Sequence, residues 1–250
     1  MKNLSIIILT WNNLDATRRC LRSIRPVMER DDVEVIVIDN ASTDGTVPTI
    51  RNLYPGIQII ANHRNRGISA ARNQGFMKAC GQYLLLLDND TVASPEAIEG
   101  LENYMQSHPG VGLCACRLTD EKGNTQPSLK PFPGLKIKLY SLLGFKLPQS
   151  QFVTDEEGCI EPFYVIGACQ MIRREAIGQT GMLDEGIFYG PEDADFCIRL
   201  RRAGWLVKYL PQYSIIHTYQ RFTNNHPFSK LAREHVKGLF HLYFKHRRIK

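Results

Sequence analysis

Two aspartates that directly follow an apolar segment are the residues of this sequence best suited to chemistry. Tyr83–Leu87 contains four consecutive leucines, and Asp88, Asn89 and Asp90 come next. Such a run predicts an inner strand covered on both faces, and ligands of open α/β sheets lie beyond the carboxyl ends of such strands. Carboxylates two residues apart can hold one divalent cation, Mg²⁺ or Mn²⁺, that also binds phosphate oxygens. A simple turn is the open alternative.

A second carboxylate follows another apolar run. Val35–Ile38 precede Asp39, which begins a polar loop before a predicted helix. A carboxylate at the end of a strand can accept hydrogen bonds from a nucleotide base or a ribose. Asp39 or Ser42 could instead form a local turn or cap the helix, which is the more frequent use of these residue types. We interpret the pair Asp44-Gly45 as structural.

Small residues and an arginine occupy the start of the next predicted helix. The segment Asn65–Gly75 contains Gly67 and Arg72. Glycine permits close approach of the backbone to a ligand, and arginine suits an anionic or planar partner. A surface helix could begin with the same residues. Gly167 and Ala168 are a second pair of small residues. They either let a ligand approach or only give a strand room to pack.

Three carboxylates stand at the start of a later predicted helix. These are Glu192, Asp193 and Asp195, and interaction with the helix dipole alone could explain them. Asp195 lies four residues before Arg199, a spacing that predicts an ion pair, so we assign Asp195 to structure. Asp193 then becomes the candidate general base, with Glu192 orienting it or binding substrate, provided that the loop faces the sheet edge.

A histidine ends the last apolar segment of the domain. His217 follows Tyr213–Ile216, and a neutral imidazole there could complete a metal site. A single histidine is more often a structural residue, and that alternative stays open.

Strand-like and helix-like segments alternate through the first half of the chain. The predicted strands are Leu4–Thr10, Val33–Ile38, Ile57–Ala61 and Tyr83–Leu87, and the predicted helices cover residues 14–24, 45–53, 69–79 and 95–107. Regular signals resume with Phe163–Ile172, a helix over Pro191–Ala203 and a strand over Trp205–Leu210. This alternation predicts an α/β fold with a mostly parallel sheet and helices on both faces. Thr10 and Asn12 then share a sheet edge with the aspartates.

Composition narrows the class of protein. The chain has 250 residues, of which 43% are hydrophobic, enough for one large α/β domain or two small ones. No segment approaches the roughly eighteen apolar residues of a membrane span, and Leu4–Leu9 is too short for a signal peptide, so we expect a cytoplasmic protein. Seven cysteines without a C-x-x-C pair are expected to be small buried hydrophobic residues rather than zinc ligands or disulfides.

The positive charge is concentrated at the C-terminus. Residues 221–250 carry eight Lys and Arg side chains against one Glu, whereas the first 220 residues carry 23 basic and 24 acidic side chains. Apolar residues recur there every three or four positions, which predicts an amphipathic basic helix. It could lie on an anionic membrane or pack on the domain with its basic face in solvent. Nucleic-acid binding is not expected, because no aromatic platform accompanies the charge.

Several of these segments, taken in order, resemble the family 2 glycosyltransferases of the GT-A fold. The resemblance covers about residues 3–220, and within the family it is greatest for bacterial cell-surface polysaccharide enzymes, including rhamnosyltransferases. The segments that carry it are Leu9–Asn12, Ile38–Gly45, Asn65–Gly75, Asp88–Asp90, Gly167–Ala168 and Glu192–Asp195.

The resemblance implies a GT-A domain over 1–220, with a Rossmann-like sheet. Its nucleotide-binding half would cover about 1–116 and its acceptor half about 117–220, followed by the basic helix of 221–250. It also implies a divalent metal, Mg²⁺ or Mn²⁺, and a nucleoside diphosphate sugar donor, with dTDP- or UDP-sugars favoured. The acceptor would be a saccharide or lipid-linked, and the anomeric centre would be inverted. The helix could place the enzyme on the inner face of the membrane.

The same match implies roles for single residues. Asp39 and Arg72 would contact the nucleoside, Asp88 the ribose or metal, and Asp90 the metal and diphosphate, while Asp193 would be the catalytic base. His217 is the candidate third metal ligand. The remaining candidate donor-binding residues are Thr10, Asn12, Asn65, Gly67 and Asn89. Residues 117–158 match no pattern and, being rich in Pro and Gly, predict a long excursion or lid.

Other classes fit less well. A sugar nucleotidyltransferase or an NAD-dependent oxidoreductase needs a glycine-rich loop after the first strand, and Trp11–Asp15 contains no glycine. A non-catalytic sugar- or nucleotide-binding module of a membrane-associated assembly remains an alternative, because a fold alone does not establish catalysis. The presence of Asp88, Asp90 and Asp193 argues against it.

Overall fold

The computed structural model describes residues 2–130, 154–218 and 229–246. In these ranges the chain forms an eight-stranded sheet, a two-stranded sheet and flanking helices. The strands are β1 (Leu4–Thr10), β2 (Val33–Asp39), β3 (Gln58–Ala61), β4 (Tyr83–Asp88), β5 (Thr91–Val92), β6 (Val111–Thr119), β7 (Leu129–Lys130), β8 (Tyr164–Val165), β9 (Cys169–Arg173) and β10 (Leu206–His217). The helices are α1 (Leu14–Ser23), α2 (Arg25–Met28), α3 (Thr46–Leu53), α4 (Ile68–Lys78), α5 (Pro95–Ser107), α6 (Arg174–Thr180), α7 (Glu192–Arg202) and α8 (Lys230–His246).

The large sheet is mixed but mostly parallel. Its order is β3-β2-β1-β4-β9-β6-β10-β5, in which β9 runs antiparallel to β4 and β6, and β5 runs antiparallel to β10. The other neighbouring strands are parallel. Thr10 is in register with Asp39, and Leu9 with Asp88. The predicted convergence of three polar strand ends at one sheet edge is therefore confirmed.

Helices cover both faces of the sheet, as the alternation predicted. Successive side chains of a strand point to opposite faces, so Ile6 packs in one apolar cluster with Cys20 of α1, while Ile7 packs in a second cluster with Phe76 of α4. All four are buried. An inner strand with two covered faces needs an apolar side chain at nearly every position, which accounts for the uninterrupted run in β1.

Local sequence signals set the helix starts near the site. The Asn13 side chain accepts a hydrogen bond from the Ala16 backbone N–H at the start of α1, and Asp44 accepts from the Leu14 N–H at 2.9 Å. The other carboxylate oxygen of Asp44 accepts from the Thr46 N–H. These side chains satisfy helix N–H groups that have no partner within the helix. The structural role predicted for Asp44 is confirmed.

Several elements differ from the sequence predictions. Strand β6 and helix α6 were not predicted, β10 continues beyond Leu210 to His217, and Phe163–Ile172 contains two short strands instead of one regular element. Cys80 is exposed, so its expected burial is wrong, whereas the other six cysteines are buried. Most of the excursion predicted for 117–158, namely 131–153, lies outside the described residues.

The basic amphipathic helix predicted at the C-terminus is present as α8. Leu242 packs against Ala194 and Ile198 of α7 in a small apolar cluster. The predicted helical segment continues on both sides into 221–228 and 247–250, which lie outside the described residues. Among the helices of the described ranges, none combines the length and the apolar character needed to cross a bilayer.

Candidate active site

A cavity of about 410 Å³ opens at the edge of the sheet where β1, β2 and β4 end. Its walls come from the strand ends, from the loop before α4 and from two distant segments. The residues that line it are Leu9, Thr10, Trp11, Asn12, Asn13, Asn40, Asn65, Gly67, Ile68, Asp88, Asn89, Asp90, Phe188, Tyr189 and Leu231. The structure therefore brings together most of the predicted donor-binding residues.

A cluster of potential metal ligands lies at this edge. Donor atoms of Asp88, Asp90 and His217 all lie within 4.8 Å of one another, and His217 Nε2 is 3.5 Å from Asp90 Oδ1. Strand pairing accounts for the meeting, because His217 of β10 is in register with Thr91 of β5, the residue that follows Asp90. The predicted grouping of these three side chains is present.

The contact with Gln126 orients the imidazole of His217 so that Nε2 faces Asp90. The Gln126 amide N–H₂ donates to the His217 carbonyl at 2.7 Å, which orients the amide so that its oxygen lies 2.9 Å from His217 Nδ1. An amide oxygen only accepts, so Nδ1 carries the proton and Nε2 presents its lone pair towards Asp90. Burial lowers the pKa of His217 and favours this neutral form.

The charges of the cluster fit a divalent cation. Burial, and then the neighbouring Asp88, raise the pKa of Asp90 to about 7. Two carboxylates this close disfavour each other's ionised form, and a bound cation would remove that repulsion. Carboxylate oxygens with one neutral imidazole are ligands that Mn²⁺ and Mg²⁺ accept, imidazole being better suited to transition metals.

Arg72 connects the two acidic parts of the site. Its buried guanidinium donates to Asp88 Oδ1 at 2.6 Å, to the Gly167 carbonyl at 2.9 Å and to Glu192 Oε1 at 3.3 Å. A Cβ atom at Gly167 would lie 2.6 Å from Arg72 Nη1, so this glycine makes room for the guanidinium. Arg72 is not among the residues that line the cavity, and direct contact with the nucleoside stays a prediction.

Asp39 combines a local role with an atom that suits a ligand. Its Oδ2 accepts from the Ser42 N–H at 2.9 Å, so the local turn is present. Its Oδ1 is buried and has no hydrogen-bond partner among the described residues. Leaving a buried carboxylate oxygen unpaired is costly, so this position favours a ligand that brings an N–H or O–H group.

The loop before α4 is shaped by Asn40, which follows Asp39. The Asn40 amide donates to Asn65 Oδ1 at 2.9 Å, and its oxygen accepts from the Arg66 N–H. Gly67 has a φ of +81°, and a Cβ there would lie 2.5 Å from the Phe188 carbonyl, so only glycine fits. Asn65 and Gly67 thus place the backbone that forms one wall of the cavity.

Side-chain contacts also hold the opposite wall. Asn89 donates to Thr10 Oγ1 at 3.2 Å and to Thr17 Oγ1 at 3.1 Å. Asn12 accepts from the Thr43 N–H at 2.7 Å and has a left-handed φ of 48°, a conformation that Asn tolerates better than most residues. These contacts join the ends of β1, β2 and β4 around the cavity.

Asp193 has the electrostatic setting of a general base. It is partly buried in the first turn of α7, and its Oδ1 accepts from the Ala194 N–H at 2.7 Å. Burial, followed by the nearby Glu192, raises the pKa of Asp193 to about 7. A base whose pKa lies near the working pH exchanges protons efficiently. Burial also raises the pKa of Glu192, whose Oε2 has no hydrogen-bond partner in the described part of the chain.

Asp195 has the structural role that its spacing predicted. It is fully buried, and its Oδ2 accepts from Arg199 Nε at 2.8 Å. Sequence reasoning missed other residues that shape the site, because their contacts are non-local or because no motif marks them. They are Gln126, Tyr189 and Leu231. Trp11, which is 52% exposed and lines the cavity, was named in the sequence only as part of the segments Leu9–Asn12 and Trp11–Asp15.

Comparison with solved structures defines the class of protein. The structure is similar to that of the mannosyltransferase PcManGT from Pyrobaculum calidifontis in complex with GDP-Man and Mn²⁺, with a TM-score of 0.69 and 17% sequence identity. The match covers 99% of this chain and 65% of that longer one. At this identity the likeness shows the fold, and it is that of the GT-A glycosyltransferases.

Sequence comparison identifies the family. The model of glycosyl transferase family 2 matches residues 5–181, and the chain belongs to that family. It is 27% identical to the N-acetylglucosaminyl-diphospho-decaprenol L-rhamnosyltransferase of Mycobacterium tuberculosis, over 97% of this chain and 85% of that protein. It is 26% identical to the rhamnosyltransferase WbbL of Escherichia coli K12, over 98% and 93%. The resemblance inferred from the ordered motifs is confirmed, and the protein is a glycosyltransferase.

Proposed function

We propose that this glycosyltransferase is inverting and metal-dependent, and that it transfers a sugar from a nucleoside diphosphate sugar to a hydroxyl group of its acceptor. The observation that carries the proposal is the Arg72 bridge, which holds Asp88 of the metal-ligand cluster and Glu192, the neighbour of Asp193, on one guanidinium. This contact supports the proposal, because it ties a proposed metal ligand to the residue next to the proposed base.

The donor would bind in the cavity. Asp39 is not among the residues that line the cavity, but it precedes Asn40, which is, and its unpaired Oδ1 suits the ring N–H of uracil or thymine. The exposed ring of Trp11 offers a surface on which a base can stack. We therefore favour UDP- or dTDP-sugars. Asp88, Asp90 and His217 would hold the cation beside the diphosphate. Once bound, a divalent cation there supplies charge stabilisation for the leaving group.

Asp193 would take the proton of the acceptor hydroxyl as its oxygen attacks the anomeric carbon. Attack on the side opposite the leaving diphosphate inverts that centre in a single displacement, by the stereochemical logic that applies to inverting glycosidases. Arg72, by neutralising Glu192, limits the number of uncompensated charges beside the base.

We propose a saccharide or lipid-linked acceptor in cell-surface polysaccharide synthesis. The Mycobacterium tuberculosis relative is named as acting on a decaprenyl diphosphate-linked sugar. Helix α8 supports the same assignment, because Val236, Phe240 and Phe244 recur every four residues and are 49%, 57% and 69% exposed. Exposed apolar residues on a helix with basic neighbours suit the surface of an anionic membrane, where such acceptors reside.

Calorimetric titration with UDP, dTDP and GDP, each with and without Mn²⁺ or Mg²⁺, tests the donor site. We expect one nucleotide to bind tightly only when metal is present. In the D90A variant, we expect that metal no longer strengthens the binding of this nucleotide. The sugar derivative of that nucleotide should then support transfer by the parent protein but not by D193N. Binding without any transfer would favour a non-catalytic module, and binding of no nucleotide would contradict the donor site.

A further inference from the structure

Helix α8 lies directly against the segment that carries the proposed base. A Cβ atom built at Gly238 would be 2.6 Å from the Gly190 carbonyl and 3.1 Å from Pro191 Cδ. Real Cβ contacts are not that short, so the backbone of α8 touches the turn that leads into α7. Any larger residue at this position must push α8 and the turn apart.

Charged side chains at the C-terminal end of α8 bind to α7. His246 Nε2 lies 2.7 Å, and Lys245 Nζ 2.8 Å, from Oδ1 of the buried Asp195. Lys245 also pairs with Asp184, which accepts from His241 at 3.0 Å. Burial raises the pKa of Asp195, but the hydrogen bond from Lys245 and the charge of Arg199 outweigh it and hold this pKa below its usual value. Asp195 is therefore ionised when it binds α8.

The N-terminal end of α8 lies at the cavity. Leu231 forms part of the cavity wall, and the His235 ring meets the Tyr189 ring edge-on, with centroids 6.2 Å apart. Contacts of α8 therefore follow residues 184–195 from the donor cavity to the first turns of α7. Asp193 lies inside this stretch.

We propose that α8 is a positioning element of the active site, in which Gly238, Lys245 and His246 set the placement of the α7 turn that carries Asp193. The proposal rests on the proposed role of Asp193 as the base. The opposite face of α7 packs on the sheet through Phe196, Cys197 and Leu200, which leaves α8 as a support for the first turn. A base misplaced by about 1 Å can lower turnover about 100-fold.

Two Gly→Ala variants test the contact without changing charge. G238A places a methyl group against the Gly190 carbonyl, whereas G178A, in α6, places one where no atom lies within 4 Å. Both exchange a helical glycine for a better helix former. We expect G238A to lower kcat by about 10- to 100-fold, with KM for the donor and the nucleotide Kd in the presence of metal nearly unchanged. G178A should match the parent protein.

A second set of variants tests the charged contacts. K245M and H246L remove donors to Asp195, whereas K237M removes an equally basic side chain that points into solvent and pairs with Glu234 on its own helix. We expect K245M and H246L to lower kcat while nucleotide affinity is kept, K245R to restore most of the loss seen in K245M, and K237M to change neither kcat nor affinity. Thermal unfolding of every variant shows whether it is folded. If G238A is not folded, the difference in kcat between K245M and K245R tests the positioning role of α8.

The outcomes separate this inference from the proposed function. If D193N retains turnover, Asp193 is not the base, and the proposed function is refuted whatever the α8 variants show. If D193N is inactive while G238A, K245M and H246L keep the kcat of their controls, the assignment of the base stands and the positioning role of α8 is refuted. A fall in nucleotide affinity equal to the fall in kcat would also refute it, because that result indicates general destabilisation.

Discussion

Arg72 Nη2 lies 2.6 Å from Asp88 Oδ1, and the same guanidinium reaches Glu192, which is 120 residues away in the chain. The end of β4 and the start of α7 are thereby held by one buried cation. A buried cation between two carboxylates is favourable only while both remain. The relative placement of the metal-ligand cluster and the proposed base therefore depends on Arg72.

Replacing Arg72 should cost both stability and activity. In R72A the buried Glu192 and the half-buried Asp88 lose their counter-ion, and we expect the free energy of unfolding to fall by about 3 kcal/mol. Urea denaturation measures this change. The double variant R72A/E192Q should recover part of the loss, because it removes one of the two stranded charges. Equal stability of R72A and R72A/E192Q would contradict the bridge.

The contact between Gln126 and His217 predicts an effect on metal binding from a residue that is not a ligand. Q126A removes the acceptor that fixes the imidazole tautomer, and such outer partners contribute about 10- to 100-fold to metal affinity. We expect Mn²⁺ affinity to fall by that factor in titration calorimetry. Gln179 of α6, which bonds Glu175 and Trp205, provides the control, and Q179A should bind Mn²⁺ like the parent protein.

The unpaired oxygen of Asp39 predicts a selective effect on nucleotide binding. D39N can keep the bond from the Ser42 N–H but presents an N–H₂ group where Oδ1 stood. A hydrogen bond to a charged group contributes about 1.5–3 kcal/mol, so we expect the nucleotide Kd to rise at least tenfold. Mn²⁺ binding in the absence of nucleotide should not change. An unaltered nucleotide Kd would remove Asp39 from the donor site.

Local regularities in the sequence predict much of the first half of the fold. The strands β1 to β4 are apolar runs bounded by polar residues, and Ser94 followed by Pro95 marks the start of α5, where the Ser94 side chain accepts from the Ala97 N–H. Strand β6 has no such signal, because Val111–Thr119 contains glycine and cysteine instead of a β-branched run. It lies between β9 and β10, both distant in the sequence, and these pairings are not visible in the local pattern.

The candidate site also combines residues that the sequence locates with contacts that it does not predict. Asp88 and Asp90 could be located because they follow a strand, and Asp193 because it begins a helix. The bridge through Arg72 and the support of His217 by Gln126 join residues 91 to 120 positions apart, and nothing in one sequence marks such pairs. Matching a motif transfers the role of Arg72 in the family, but it does not supply its contacts in this chain.

The raised pKa of Asp193 predicts how activity depends on pH. A general base acts when it is deprotonated, so kcat/KM should rise with pH and level off above about 7, the pKa of Asp193. One unit below that pKa the rate should be about a tenth of its plateau. Saturating Mn²⁺ keeps Asp90 deprotonated, so that its titration does not enter the profile. A rate that is constant from pH 5.5 to 8 would contradict the assignment.

The exposed apolar residues of α8 predict reversible binding to anionic vesicles. Burying a phenylalanine side chain contributes about 1.5–3 kcal/mol, so replacing Phe240 and Phe244 with serine should lower the partition coefficient on phosphatidylglycerol vesicles at least tenfold. Sedimentation with the vesicles measures this. Met77 of α4 is 67% exposed, close to the 69% of Phe244, and M77S should bind as the parent does.

Uncharged vesicles should bind less protein, because the basic side chains of α8 then have no partner. Equal binding of F240S/F244S and M77S would show that α8 does not dock on the bilayer, and it would leave the lipid-linked acceptor to be recognised by other parts of the chain.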